Sequence, residues 1–176
     1  VWVRAVNDAR EMLNALRESS IDIAIAFDPP NQAGFSLHPL TTGEFVLIKP
    51  KALKLTKQQP LDLASLGSLP FIRLNTRGPL GQLLDSYLTQ EGGAMNVVAA
   101  TETYHIAHGL VERGVGVAIV DALTAYTYRS DRVDIIPLKI PLSFDICAIQ
   151  FHAAKSSNVR SQFLEHAKSV SQSLTI

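Results

Sequence analysis

The stretch from Thr101 to Asp121, TETYHIAHGLVERGVGVAIVD, constrains the fold more than any other part of the chain. Ile106, Ala107, Leu110 and Val111 recur at the spacing of one helix face. Gly114 and Gly116 then break the helix, and Val117 to Val120 is an apolar run short enough for a buried parallel strand. Helix, tight glycine turn and core strand in that order belong to an open α/β sheet. In such sheets small ligands gather at the carboxyl ends of strands and the amino ends of helices.

The rest of the chain is placed around this unit. Val1 to Val6 alternates like a strand, and Asn7 or Asp8 then caps a helix that carries Met12, Leu13 and Leu16 on one face. Ser19 and Ser20 end that helix. Ile21 to Phe27 is a β-branched run that closes on Asp28, Pro29 and Pro30, since proline cannot donate to a strand ladder. Strand, helix, strand makes a first βαβ unit. Phe35 to Pro50 reads as an antiparallel edge strand, a turn at Thr41 to Gly43, and a crossing strand EFVLIKP. A short helix is expected around Leu61 to Leu66, a core strand over Pro70 to Leu74, and a helix with Leu80, Leu83, Leu84, Tyr87 and Leu88 that stops at Gly92 and Gly93. Asn96 to Ala100 is a further strand. After Asp121 come a helix to about Tyr128, the segment VDIIPLKI, a long strand from Leu142 to Phe151, and a final helix with Val159, Phe163, Ala167 and Val170 in step.

Two lobes fit this order better than one sheet. Residues 1–47 with 146–176 make the first and 48–145 the second, joined by two crossing strands with a cleft between them. The last helix is expected to pack on the first lobe. At 176 residues and 47% hydrophobic content the chain can bury a real core. The opening on strand-like alternation without an initiator Met reads as a fragment.

Charge and cysteine content exclude several roles. Lys plus Arg equals Asp plus Glu at 16 each, and no basic run appears, so this segment has no surplus with which to hold nucleic acid. The single cysteine, Cys147, sits in the apolar run LSFDICAIQF, where a buried structural thiol is expected and a disulfide framework is excluded. No apolar run approaches the roughly 20 residues of a membrane helix. A soluble, cytoplasmic protein is the expectation. There is no G-x-S-x-G elbow, Walker loop or HExxH, so neither an enzyme nor a cofactor is expected.

The order of elements, with LRESSIDIAIAFD, then EFVLIKP, then LPFIRLNTRG, then LVERGVGVAIVD, resembles the effector-binding domain of LysR-type transcriptional regulators over essentially the whole chain. The resemblance implies two Rossmann-like lobes of the type 2 periplasmic-binding-protein-like α/β fold. It also implies a small-molecule effector, an amino acid or carboxylate, bound between the lobes to modulate DNA binding and transcription. DNA would be reached only through an N-terminal winged helix-turn-helix that this chain does not contain, and self-assembly to a dimer or tetramer would follow. The family commonly opens the domain with a strand and helix that are absent here, and often has Pro where this chain has Asp121. Asp or Asn there resembles the branch that senses lysine, diaminopimelate or opines. The rival reading on the same architecture is a periplasmic-type solute-binding protein of a transporter.

Six residues are the ligand-binding candidates, each with an ordinary structural alternative. Thr101 and Thr103 flank the start of the central helix, where they either cap it or border an anion site formed by its free amides. Asn75 and Thr76 precede the helix near Pro79 in the same way, as turn residues or as ligand contacts. Asp28 ends a strand, where its carboxylate either receives a cationic group or makes an Asp-Pro turn. Asp121 ends another, with capping of the next helix as its alternative. His105 and His108 share a helix face, but further metal ligands are lacking, so solvated histidines and no metal are expected. Gly114 and Gly116 serve the turn, and Arg73, inside an apolar strand, needs a partner if buried.

Overall fold

The computed structural model describes residues 1–6, 8–55, 60, 62–74, 79–92, 94–153 and 157–173. Two compact units make up the chain: Val1–Thr42, Arg77–Leu80 and Phe144–Thr175 form the first, Gly43–Thr76 and Gly81–Ser143 the second.

In the first unit, α1 (Ala9–Arg17) starts where Asp8, in extended conformation, accepts a hydrogen bond from the Glu11 amide at 2.9 Å. Met12, Leu13 and Leu16 are its buried face and meet Ala24, Phe35 and Ile149. β1 (Ala24–Phe27) pairs antiparallel with β7 (Ser143–Phe151), which sets Ala26 opposite Cys147. Cys147 is buried, as expected, and burial is the main reason its thiol titrates above the ordinary range.

Three expectations for this unit fail. Val1 to Val6 forms no strand, and Val1, Trp2 and Val3 are exposed. Alternation becomes a strand only where a neighbour takes up the backbone groups, and none does so among the described residues. The turn at Thr41 to Gly43 is absent as well. β2 (Phe35–Pro50) is one strand of 16 residues that runs on into the second unit, and Gly43 is not among the glycines at positive φ. Finally, α5 (Asn158–Ser173) does not turn the stripe of Val159, Phe163 and Val170 inward, since all three are exposed. Its better-buried stripe is shifted by one residue at most positions, to Arg160, Leu164, Ala167 and Ser171. The Ser171 hydroxyl donates to the Leu40 carbonyl at 3.0 Å, and Arg160 lies 3.8 Å from Asp22.

The second unit holds the larger core. β5 (Ala118–Asp121) is buried along its whole length and pairs antiparallel with β2, Phe45 opposite Asp121 and Ile48 opposite Ala118. β6 (Val133–Pro137) pairs antiparallel with the same stretch of β2. β3 (Pro70–Leu74) and β4 (Asn96–Thr101) pair in parallel. Just ahead of β5, the Val117 amide donates to the Pro70 carbonyl and the Ile72 amide to the Val117 carbonyl, both at 2.8 Å, in a parallel bridge. The strand expected to be parallel is therefore parallel toward β3 and antiparallel toward β2, because a crossing strand lies on one side of it.

α3 (Tyr104–Glu112) buries Ala107 and Val111 against Ile72, Leu74 and Val120. Ile106, expected on that face, is 49% exposed, and His108 is turned inward in its place. After α3, Gly114 sits at φ 79° with open space around it, whereas Gly116 is needed for another reason. A Cβ on Gly116 would lie 2.4 Å from the Pro70 carbonyl oxygen, so only glycine lets the two backbones form the bridge. α2 (Pro79–Tyr87) runs into a π-helical turn at Leu88–Gly92, with Leu80, Leu84, Tyr87 and Leu88 buried. The expected short helix is a 3-10 turn over Leu63–Leu66. Arg73 is exposed and pairs with Asp85 at 3.1 Å. α4 (Ala122–Thr127) follows β5 directly. Among the described residues no helix is long and apolar enough to cross a membrane.

Candidate functional site

The carboxyl ends of β4 and β5 and the first turn of α3 converge in the second unit. Thr101 closes β4 and is buried. Its Oγ1 accepts weakly from the Thr103 amide at 3.4 Å, which shapes the two-residue entry into the helix. Thr103 occupies the N-cap position with φ −134° and ψ 142°, yet its side chain makes no capping bond. Its hydroxyl is buried and has no partner among the described residues, and the same is true of the Tyr104 hydroxyl beside it. Two such groups, each costing about 1–3 kcal/mol when left unsatisfied, stand next to first-turn amides that no helix can bond internally.

Asp121 supplies the charge. It ends β5, is buried, and caps α4 by accepting from the Thr124 amide at 2.8 Å. Phe45, its partner on β2, packs its ring 6.4 Å from the Tyr104 ring. Tyr104 titrates well above an ordinary phenol, first because it is buried and second because the Asp121 carboxylate opposes a phenolate. The Tyr104 group is thus a hydroxyl, able to donate and to accept, throughout the physiological range. The cluster combines free hydroxyls, positive helix-end dipoles and one carboxylate, an arrangement suited to holding a small molecule that carries both an acidic and a basic group.

Of the expected residues, the structure joins Thr101 and Thr103 at the start of α3, and Asp121 lies near enough to Tyr104 for its charge to act on the phenol. Asp28 belongs to the first unit, at φ 41°, and exchanges two 2.8 Å hydrogen bonds with the Asp145 backbone, one through its own amide and one through its carboxylate. Its side chain thereby locks the end of β1 to β7. Asn75 and Thr76 lie outside the described residues. Tyr104 was missed from the sequence because an aromatic residue at a helix start reads as core, and only the orphaned oxygen marks it. His108, expected to be solvated, is 5% exposed. Burial holds its pKa below the ordinary value against the opposing charge of Glu112. Among the described residues no three His, Cys, Asp or Glu side chains gather in a group able to hold a metal.

Residues 5–172 match the family model described as the LysR substrate binding domain. The chain belongs to that LysR family. Over 154 residues it is 34% identical to the HTH-type transcriptional regulator DgcR of Pseudoalteromonas, a match that covers 88% of this chain and 53% of DgcR. The chain thus spans about half the length of that relative. Among solved structures, the C-terminal domain of a LysR family regulator from Rhodococcus matches with a TM-score of 0.74 at 21% identity, over 90% of this chain and 79% of the other. The CcmR regulatory domain of Synechocystis, solved in complex with 2-PG, matches with a TM-score of 0.79 at 12% identity, over 95% of this chain and 81% of the other. These structural likenesses concern the fold, which is the type 2 periplasmic-binding-protein-like α/β fold of LysR regulatory domains. The solute-binding alternative finds no support among these relatives.

Proposed function

We propose that this LysR-family domain senses a small metabolite at the first turn of α3, and that an amino acid is the class that fits best. The observation that carries the reading is the pair of buried hydroxyls on Thr103 and Tyr104, unpartnered among the described residues, with the Asp121 charge acting on Tyr104. An effector carboxylate would take these hydroxyls and the α3 amides, and its ammonium would face Asp121. Asp28, for its place at a strand end, and Asn75 and Thr76, for theirs ahead of a helix, remain proposed contributors. The effector biases the protein toward one state by its differential affinity for the two. In the full-length regulator that bias would alter DNA binding by a segment outside this chain, in a cytoplasmic dimer or tetramer without cofactor or catalysis. The relation to DgcR, an HTH-type transcriptional regulator, supports this assignment.

Thermal unfolding of the chain against amino acids and small carboxylates tests it. A ligand at a hundredfold excess over its Kd stabilises by about 2.7 kcal/mol, a shift of several degrees for a protein of this size. The shift should vanish in Thr103→Val and Asp121→Asn, the second of which keeps a side chain that caps helices well. No stabilisation by any compound in the panel, or a shift that survives both changes, sinks the proposal.

A further inference from the structure

α3 carries another polar group that the effector site does not use. The Nε2 of His108 is out of contact with solvent and has no hydrogen-bonding partner among the described residues. The ring is held by aromatic contact instead, with the Tyr128 ring 6.2 Å away. It forms part of the wall of a half-open pocket of about 620 Å³ in the second unit. That volume lies inside the range of about 300–1,000 Å³ typical of small-molecule sites.

The charges around the pocket select the guest. Asp134 is engaged by the buried Lys49 ammonium at 2.6 Å, and the Ser130 hydroxyl donates to Glu112 at 2.7 Å. That leaves Arg129, whose guanidinium stacks over the Tyr126 ring at 5.4 Å, and Asp131. Neither has an ion-pair partner among the described residues. One unpaired cation and one unpaired anion favour a guest with one charge of each sign over a phosphate or a polyamine. Val133, Ile135 and the Tyr126 ring supply apolar wall for the rest of it.

We propose that this pocket is a second ligand site that takes a free α-amino acid, with its carboxylate on Arg129, its ammonium on Asp131 and the rest of the molecule against the His108 ring. The site is built from α3, the segment after α4 and β6, and it shares no residue with the effector site. Arg129 and Asp131 are both exposed, so changing them leaves the core intact.

The test follows the His108 ring nitrogens in the histidine-labelled chain by long-range proton–nitrogen spectra, assigned with His108→Gln. Leucine and phenylalanine are the probes, set against leucinamide, which lacks the carboxylate, and N-acetyl-leucine, which lacks the ammonium. The expected result is a saturable shift of the His108 signals with the free amino acids. Binding should weaken about tenfold or more for the blocked probes, and likewise in Arg129→Met and Asp131→Asn. Thr103→Val, which removes the effector-site hydroxyl, should leave this titration unchanged. His108 signals that no probe moves would overturn the proposal. Equal responses to free and blocked probes, or in wild type and both charge variants, would overturn it as well.

Discussion

Replacing Gly116 by Ala tests a close backbone approach in the second unit. The new Cβ would meet the Pro70 carbonyl oxygen at 2.4 Å and its carbon at 2.9 Å, and both are backbone atoms that no rotamer change can move. Restoring ordinary contact requires the turn and β3 to separate by about an ångström. The two 2.8 Å hydrogen bonds that join Val117 to Pro70 and Ile72 span that same gap. Overpacking of this kind costs about 1–3 kcal/mol and a lost backbone bond about 1 kcal/mol, so a total of about 2–4 kcal/mol is expected. Gly114→Ala is the control two residues away. There a Cβ meets nothing within 4 Å, and the cost is only that of holding φ 79°, about 1–2 kcal/mol. Urea unfolding followed by circular dichroism at constant m compares the two. Hydrogen exchange at the Ile72 and Val117 amides should accelerate in Gly116→Ala alone. A Gly116→Ala protein as stable as Gly114→Ala would refute the reasoning, because it would mean that the bridge is loose enough to admit a methyl group.

Three further outcomes are expected. Tyr104→Phe removes a buried hydroxyl that has no partner among the described residues, so the ligand-free protein should be unchanged or more stable by up to about 1 kcal/mol in chemical denaturation, while effector binding weakens. Lys49 and Asp134 should behave asymmetrically: Asp134→Ala leaves a buried ammonium with only the Leu53 and Pro50 carbonyls, whereas Lys49→Met leaves a carboxylate that water reaches. Denaturation midpoints should therefore fall further for the first, by about 1–2 kcal/mol more. His108 predicts a pH dependence. Its folded pKa lies below the ordinary value, so the unfolded chain binds the extra proton first, and stability is lost as pH falls from about 6.5 toward the folded pKa. Unfolding curves from pH 7.5 to 5 should show that slope in wild type and a shallower one in His108→Gln, even with Glu112 beside it.

Much of the fold was legible because local patterns carry it. The stretch from Thr101 to Asp121 announced a helix, a glycine turn and a core strand, and it forms α3, the turn and β5. Asp8 and Asp121 cap the helices that follow them, since a short acceptor before an apolar period does the same work wherever it occurs. The family followed from four such segments in order, and residues 5–172 match it.

What no local pattern could decide was which groups find partners. Val1 to Val6 has strand alternation and no strand, and the α5 stripe is shifted by a residue at most positions, because burial depends on what lies opposite and periodicity says only that one side differs from the other. Thr103, Tyr104 and His108 look in sequence like a cap, a core aromatic and a solvated histidine. Only the packing of the second unit around α3 buries their polar atoms and leaves them without hydrogen bonds among the described residues. Spacing along the chain was enough for most of the elements, their order and the family. The tertiary structure alone decided where unsatisfied polarity accumulates, because a lost hydration shell and a missing partner are both set by atoms distant in sequence.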